Sequence, residues 1–158
     1  MKKPWNLINT PIYSLATYNN NNVVNMNICT YVNAISMKPK KYAIAVYNDT
    51  QTLANIEQSE IAVLQLLSNE QYFLIKKLGQ TSGINYNKQQ YLTKKNLLEL
   101  WQQHFVLKNT SARLLLKKEW SKQFGDHTLF IFDVLKYNAY NNNILMLNDL
   151  RERKLVRI

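Results

Sequence analysis

Leu78-Gly79-Gln80-Thr81-Ser82-Gly83-Ile84-Asn85-Tyr86-Asn87-Lys88 and Gly125-Asp126-His127-Thr128-Leu129-Phe130 together hold all three glycines of a 158-residue chain. A chain so sparing of glycine uses it where the backbone needs a positive φ or must approach something closely. The same scarcity excludes whole classes of chemistry. Neither G-x-G-x-x-G nor the phosphate loop G-x-x-x-x-G-K-[ST] can be written anywhere in the chain, which removes Rossmann and P-loop enzymes. G-x-S-x-G is also absent, and the ten acidic residues are too scattered to form a pair for general acid and base work.

Outward from these segments the pattern is that of strands. Pro11 to Tyr18, Val23 to Val32 and Tyr42 to Tyr47 are rich in Val, Ile, Tyr and Thr, and are separated by the Asn19 to Asn22 turn and by Lys38-Pro39-Lys40. Ile61 to Leu67 reads as a buried strand, and Val106 to Glu119 and Thr128 to Leu135 as longer ones. Thr50 to Ser59, with Leu53 and Ile56 three apart behind several N-cap candidates, predicts a short helix. Asn69 to Leu78 predicts a second, ending at Gly79. Asn141-Asn142-Asn143 is a turn before the short run Ile144 to Leu147, and a last helical turn is expected in 148–153. Strands interrupted by short helices predict a mainly β (α+β) chain, an antiparallel, Greek-key-like closed or partly closed barrel. Residues 1–158 read as one domain, with no repeat or linker.

Composition narrows the partners. The chain is 46% hydrophobic and 19% charged, as a globular protein is, and carries a net charge of +10. That field attracts polyanions: nucleic acid, acidic membrane surfaces or phosphorylated cofactors. A solvated, lysine-rich surface is the plainer account of it. No apolar run is long enough for a membrane span and no signal-peptide core follows Met1-Lys2-Lys3, so a cytoplasmic location is expected. Cys29 is alone and only His104 and His127 accompany it, which leaves no zinc-type spacing and no intrachain disulfide.

The two glycine segments resemble the L-G-x-x-S-G-x-x-x-x-K stretch and the G-D-H-T-L-F strand opening of the flavin reductase-like, flavoredoxin-type family, in the same order. Pro11 to Thr17 resembles that family's opening strand. Val24 to Met37 and Thr50 to Ile61 resemble its next strand segment and first helix, so the likeness covers roughly residues 8 to 150. Departures stand at Ser36-Met37-Lys38-Pro39-Lys40, where the family has S-x-x-P-P, and at Phe132-Asp133.

The resemblance implies an FMN-binding split β-barrel that forms homodimers, with FMN in a groove at or near the subunit interface. It implies a phosphate contact from Lys88, supported by Ser82 and Gly83 of the same motif. Thr52 and Thr50 compete for a phosphate role at the start of the first helix, where free N–H groups and the helix dipole favour an anion. Asn25 and Asn27 are expected beside the polar edge of the flavin ring, followed by Cys29, Thr30 and Tyr31. His127 is expected to reach the cofactor or an incoming nicotinamide, and is the one catalytic candidate. Asp126 is expected to serve the turn.

The activity so implied is hydride transfer from NAD(P)H to FMN. The alternatives are an FMN-containing electron-transfer protein fed by a protein partner, and a basic barrel that binds single-stranded nucleic acid through aromatic stacking.

Overall fold

The computed structural model describes residues 3–156. Among the described residues nine strands follow in chain order: β1 (Tyr13–Tyr18), β2 (Val24–Met26), β3 (Val32–Met37), β4 (Lys40–Tyr47), β5 (Ile61–Leu66), β6 (Leu98–Trp101), β7 (His104–Leu107), β8 (Ala112–Phe124) and β9 (His127–Ala139). The helices are α1 (Gln51–Gln58), α2 (Ile75–Gly79), α3 (Lys88–Lys94) and α4 (Leu147–Glu152).

Seven strands form one antiparallel sheet in the order β2-β1-β5-β8-β9-β4-β3, while β6 and β7 pair separately. The edge strands β2 and β3 are consecutive in sequence, and residues 27–31 between them carry the chain from one edge to the other. On one side Cys29 exchanges backbone hydrogen bonds of 3.0 and 2.9 Å with Tyr13. On the other, the Ala45 N–H donates to the Tyr31 carbonyl at 3.0 Å. The sheet therefore closes on itself through an irregular crossing, which makes it a split barrel.

Alternation along β5 explains why its sequence reads as nearly continuous apolar residues. Ala62 and Leu64 pack with Leu15, Ile44, Leu116, Phe130 and Phe132, while Val63 packs with Ala16, Met26, Leu78, Leu92 and Val106. The strand is buried on both faces, by the barrel interior and by the layer containing α2, α3 and β7. On β4 the alternation has a different outcome. Ile44 and Val46 are buried, whereas Ala43, Ala45 and Tyr47, which alternate with them, are not.

Several expectations are corrected. Val23 to Val32 is not one strand, because β2 stops at Met26 and the crossing follows. Val106 to Glu119 is divided between β7 and β8; Asn109 at φ 60 turns the chain and the Ser111 N–H donates to the Leu66 carbonyl. Asn69 to Leu78 begins as a 3-10 turn, Asn69–Leu74, before α2, and Gly79 lies in the last turn of α2 instead of beyond it. Ile144 to Leu147 makes only isolated bridges, Ser68 with Ile144 and Pro11 with Met146. Two helices were expected before β8, but α3 follows α2 as well.

Candidate functional site

The outward alanines of β4, together with Leu129 of β9, line a groove of about 1050 Å³ on the outside of the barrel. Its other walls are the 27–31 crossing, the start of α1, the 79–83 loop, His127 and the N-terminal turn around Trp5, Asn6 and Ile8. Every candidate from the sequence lies on it: Asn25, Asn27, Cys29, Thr30, Tyr31, Thr50, Thr52, Ser82, Gly83, Lys88 and His127. Trp5, Ile8, Ala43, Ala45, Tyr47, Gln51 and Leu129 join them without having been foreseen.

Local bonding fixes what each group offers. Thr50 is the N-cap of α1, its hydroxyl accepting the Leu53 N–H at 3.2 Å. That leaves the Gln51 and Thr52 end of the helix on the groove wall, where the backbone presents N–H groups and the positive end of the helix dipole. Thr52 itself is 2% exposed, and its hydroxyl accepts from Asn25 Nδ2 at 3.2 Å. Behind this pair Asn55 Nδ2 donates to the Thr17 hydroxyl at 3.1 Å, and Gln51 Nε2 donates to Asn55 Oδ1 at 2.7 Å. A chain of amides and hydroxyls thus locks the start of α1 to β1 and β2.

Asn27 uses its side-chain carbonyl to accept the Leu15 N–H at 2.9 Å, so its Nδ2 is the group left for a ligand. Gly83 lies so close to this wall that a Cβ there would stand 2.2 Å from Asn25 Oδ1 and 3.1 Å from Gln51 Cβ. Glycine is needed here for close approach, not for a positive φ.

Lys88 is only 5% exposed, and its ammonium donates to the Leu78 carbonyl at 2.7 Å and the Met26 carbonyl at 3.0 Å. Burial lowers its pKa to about 8. Two of its three donors therefore tie β2 to the end of α2, and one remains for the groove. Among the described residues, Lys88 and Asp49 are the only Lys, Arg, Asp or Glu side chains on the groove wall. The described cations other than Lys88 lie off this wall, and an anion here is met by the helix start and hydroxyls more than by lysines.

Cys29 is half-buried and burial pushes its thiol up to about 12, which keeps it protonated at neutral pH and disfavours it as a nucleophile. At the groove mouth the His127 ring lies 5.2 Å from that of Tyr31 and 5.3 Å, edge-on, from that of Tyr47. His127 Nδ1 is 2.6 Å from Asp126 Oδ1, which leaves Nε2 for a ligand. The turn before it is held by Asn48, whose N–H donates to the Asp126 carbonyl at 2.9 Å while its Nδ2 donates to the Gly125 carbonyl at 3.1 Å. Gly125 takes φ +60, the conformation a two-residue hairpin loop demands of its first residue.

A polar, planar ligand with a phosphate tail fits this set of groups. The Thr10 hydroxyl is a buried oxygen of the groove wall with no hydrogen-bond partner among the described residues, and the free amide of Asn27 lies on the same wall. Small side chains at Ala43 and Ala45 leave the floor open to a flat ring. Among the described residues no cluster of His, Cys, Asp and Glu is arranged for a metal, and no helix is long and apolar enough to cross a membrane.

A split barrel whose edge-to-edge crossing walls an external groove defines the class of protein. The chain matches the profile of the flavin reductase like domain over residues 5–154 and belongs to that family. Among solved structures it resembles an FMN-binding protein from Thermus thermophilus with bound 1-cyclohex-2-enone, at TM-score 0.76 and 16% identity over 88% of this chain and 75% of that one. It also resembles the styrene monooxygenase flavin reductase from Pseudomonas putida S12, at TM-score 0.72 and 17% identity over 85% and 83%. An NADH:FAD oxidoreductase from Streptomyces globisporus C-1027 is similar at TM-score 0.73 and 12% identity, over 84% and 77%. At these identities the likeness is one of fold. No curated protein matches the chain by sequence.

Proposed function

We propose that the groove holds the FMN moiety of a flavin and that the protein is an NAD(P)H-dependent flavin reductase. The observation that carries the reading is convergence: the 27–31 crossing, the start of α1, the 79–83 loop and His127 come from separate parts of the chain and face one groove. Membership of the flavin reductase-like family and the neighbours described as FMN-binding and as NADH:FAD oxidoreductase support it.

In this reading the Gln51 and Thr52 N–H groups, the Ser82 hydroxyl and the remaining donor of Lys88 bind the phosphate. The Asn27 amide and Thr10 hydroxyl meet the polar edge of the ring, and Ala43, Ala45 and Leu129 support its face. A bound flavin supplies the redox chemistry, taking up a hydride from a nicotinamide. The protein's part is orientation and water exclusion. Tyr31, Tyr47 and His127 form an aromatic rim where a second ring can stack, with His127 Nε2 as hydrogen-bond partner.

We also place the homodimer contact on the outward face of β4, β9 and β8. Register puts Ala43, Ile131 and Trp120 in one row and Ala45, Leu129 and Lys122 in the next, so this face, apolar in these two rows except at Lys122, is continuous with the groove floor. A second copy seated there would close the groove from above.

Anaerobic addition of NADH or NADPH to the FMN-loaded protein tests the activity. Rapid bleaching of the yellow colour is the expected result. Retained yellow that neither nucleotide bleaches would refute the reductase and favour an electron-transfer flavoprotein.

A further inference from the structure

Between Gln71 and Leu98 the chain carries five lysines and not one of its ten acidic residues. This stretch builds the outer layer of α2 and α3. Lys88 is buried at the groove, but Lys76, Lys94 and Lys95 are exposed and Lys77 is half-buried. The fold adds two cations at the borders of the layer. Lys108 donates to Asn96 Oδ1 at 2.8 Å, beside Lys95, and the Arg153 guanidinium stacks 3.9 Å from the centroid of the Tyr72 ring, four residues before Lys76. Elsewhere on the surface cations are neutralised locally: Lys41 lies between Glu119 and Asp133, and Lys117 faces Glu60 at 3.6 Å. Among the described residues none of the six surface cations of this layer makes an ion pair. Like charges gathered without carboxylates raise the local potential, and a polyanion that binds there gains by releasing its own counterions.

The chemistry between the lysines selects the polyanion. Lys77 Nζ lies 4.5 Å from the centroid of the Tyr86 ring and 5.3 Å from that of Tyr91, so one cation and two rings join α2 to α3. Around this cluster the exposed side chains of the connecting loop and of α3 include Ser82, Asn85, Asn87, Gln90 and Thr93. Apart from Tyr72, the exposed apolar side chains of the layer are Phe73 and Ile84. An anionic membrane is held by a continuous apolar face inserted beside the lysines, which this layer lacks. A single nucleic-acid strand instead stacks its bases on rings, bonds base edges and sugars through amides and hydroxyls, and runs its phosphates along lysines.

We infer that the α2–α3 layer is a binding surface for single-stranded nucleic acid, with Lys76, Lys77, Lys94 and Lys95 on the phosphates and Tyr86 as a stacking platform. None of these side chains lines the groove, so the surface is independent of the flavin reading.

The full chain is titrated into a fluorescein-labelled oligo(dT) of about 15 nucleotides, and binding is followed by anisotropy over a range of salt. One phosphate contact from each of the four lysines gives an expected slope of about −3 in log affinity against log salt. Lys76→Ala, Lys94→Ala and Lys95→Ala combined, all at exposed positions, should bring the slope to about −1. Tyr86→Ala should weaken binding about tenfold with the slope unchanged. Urea midpoints show whether the variants are folded, and Tyr86→Leu, which keeps the bulk without the ring, should give the same loss if Tyr86→Ala is not. No saturable binding at low salt, or a slope that the triple lysine variant leaves unmoved, overturns the surface. Binding indifferent to Tyr86 overturns the assignment to nucleic acid, as does polyglutamate displacing the strand at equal charge. Sedimentation with phosphatidylserine vesicles, with no binding to the strand, overturns it in favour of a lipid surface.

Discussion

A methyl group at Gly83 would push Asn25 away, and Asn25 holds Thr52 at the start of α1. Gly83→Ala is therefore expected to destabilise the fold by about 1–3 kcal/mol, as overpacking does. It should also weaken FMN binding by about tenfold, since the displaced side chain belongs to the proposed phosphate wall. Urea unfolding and an FMN titration of the same variant check both effects; a variant with unchanged affinity would remove Asn25 and Thr52 from the site. At this scale much was legible, because motif residues are constrained by close approach and carry unusual residue types. What was not legible is how far some of them are committed to the fold. Lys88 is spent largely on two backbone carbonyls and Asn27 on the Leu15 N–H, and neither partner is marked in the sequence. Nor does any local pattern bring Trp5 and Ile8 to the groove, since their turn has no buried residue to impose a period.

Turn chemistry decided which elements could be foreseen. The Asn19 to Asn22 turn is read correctly because Asn tolerates the φ of 58 seen at Asn22. The β6–β7 hairpin was missed because its two-residue loop is Gln102-Gln103, with φ of 49 and 67, where Asn or Gly is the usual signal. Helix α3 was missed because seven residues with one buried apolar side chain, Leu92, carry no readable period. The β4 pattern Ala43-Ile44-Ala45-Val46-Tyr47 did hold a signal: small residues alternating with large ones leave space on one face. That face, extended by Ile131 and by Trp120, which is 46% exposed, makes an element-scale prediction. The wild type should sediment at twice the monomer mass, and Trp120→Asp should sediment as a monomer with stability changed by no more than about 0.5 kcal/mol. A monomeric wild type would contradict the proposed contact.

Across the whole molecule, buried titratable groups set an alkaline limit. Lys88 has its pKa lowered from 10.5 to about 8, so between these values the unfolded chain holds the extra proton and stability rises with pH. Cys29 is raised from 9.0 to about 12 and Tyr13 from 10.0 to about 12, both chiefly by burial, and Tyr18 is raised further by the same cause. For these three the folded state holds the proton longer, so their contribution is complete below the unfolded values and is lost as pH climbs toward 12 and beyond. The urea midpoint should peak between pH 8 and 10 and fall steeply above 10.5, and Tyr13→Phe should make that fall shallower; a flat profile would show that these groups are solvated. The net charge, legible at once, says little about the site, because among the described residues Lys88 is the one lysine or arginine on the groove wall.

The most direct test of the account is an equilibrium titration of FMN followed by quenching of its fluorescence, with wild type and Ala45→Trp side by side. Saturable binding of one FMN per chain, abolished when the indole fills the groove floor, is the predicted result. No saturable binding to wild type, or equal binding by the variant, would contradict a flavin site in this groove.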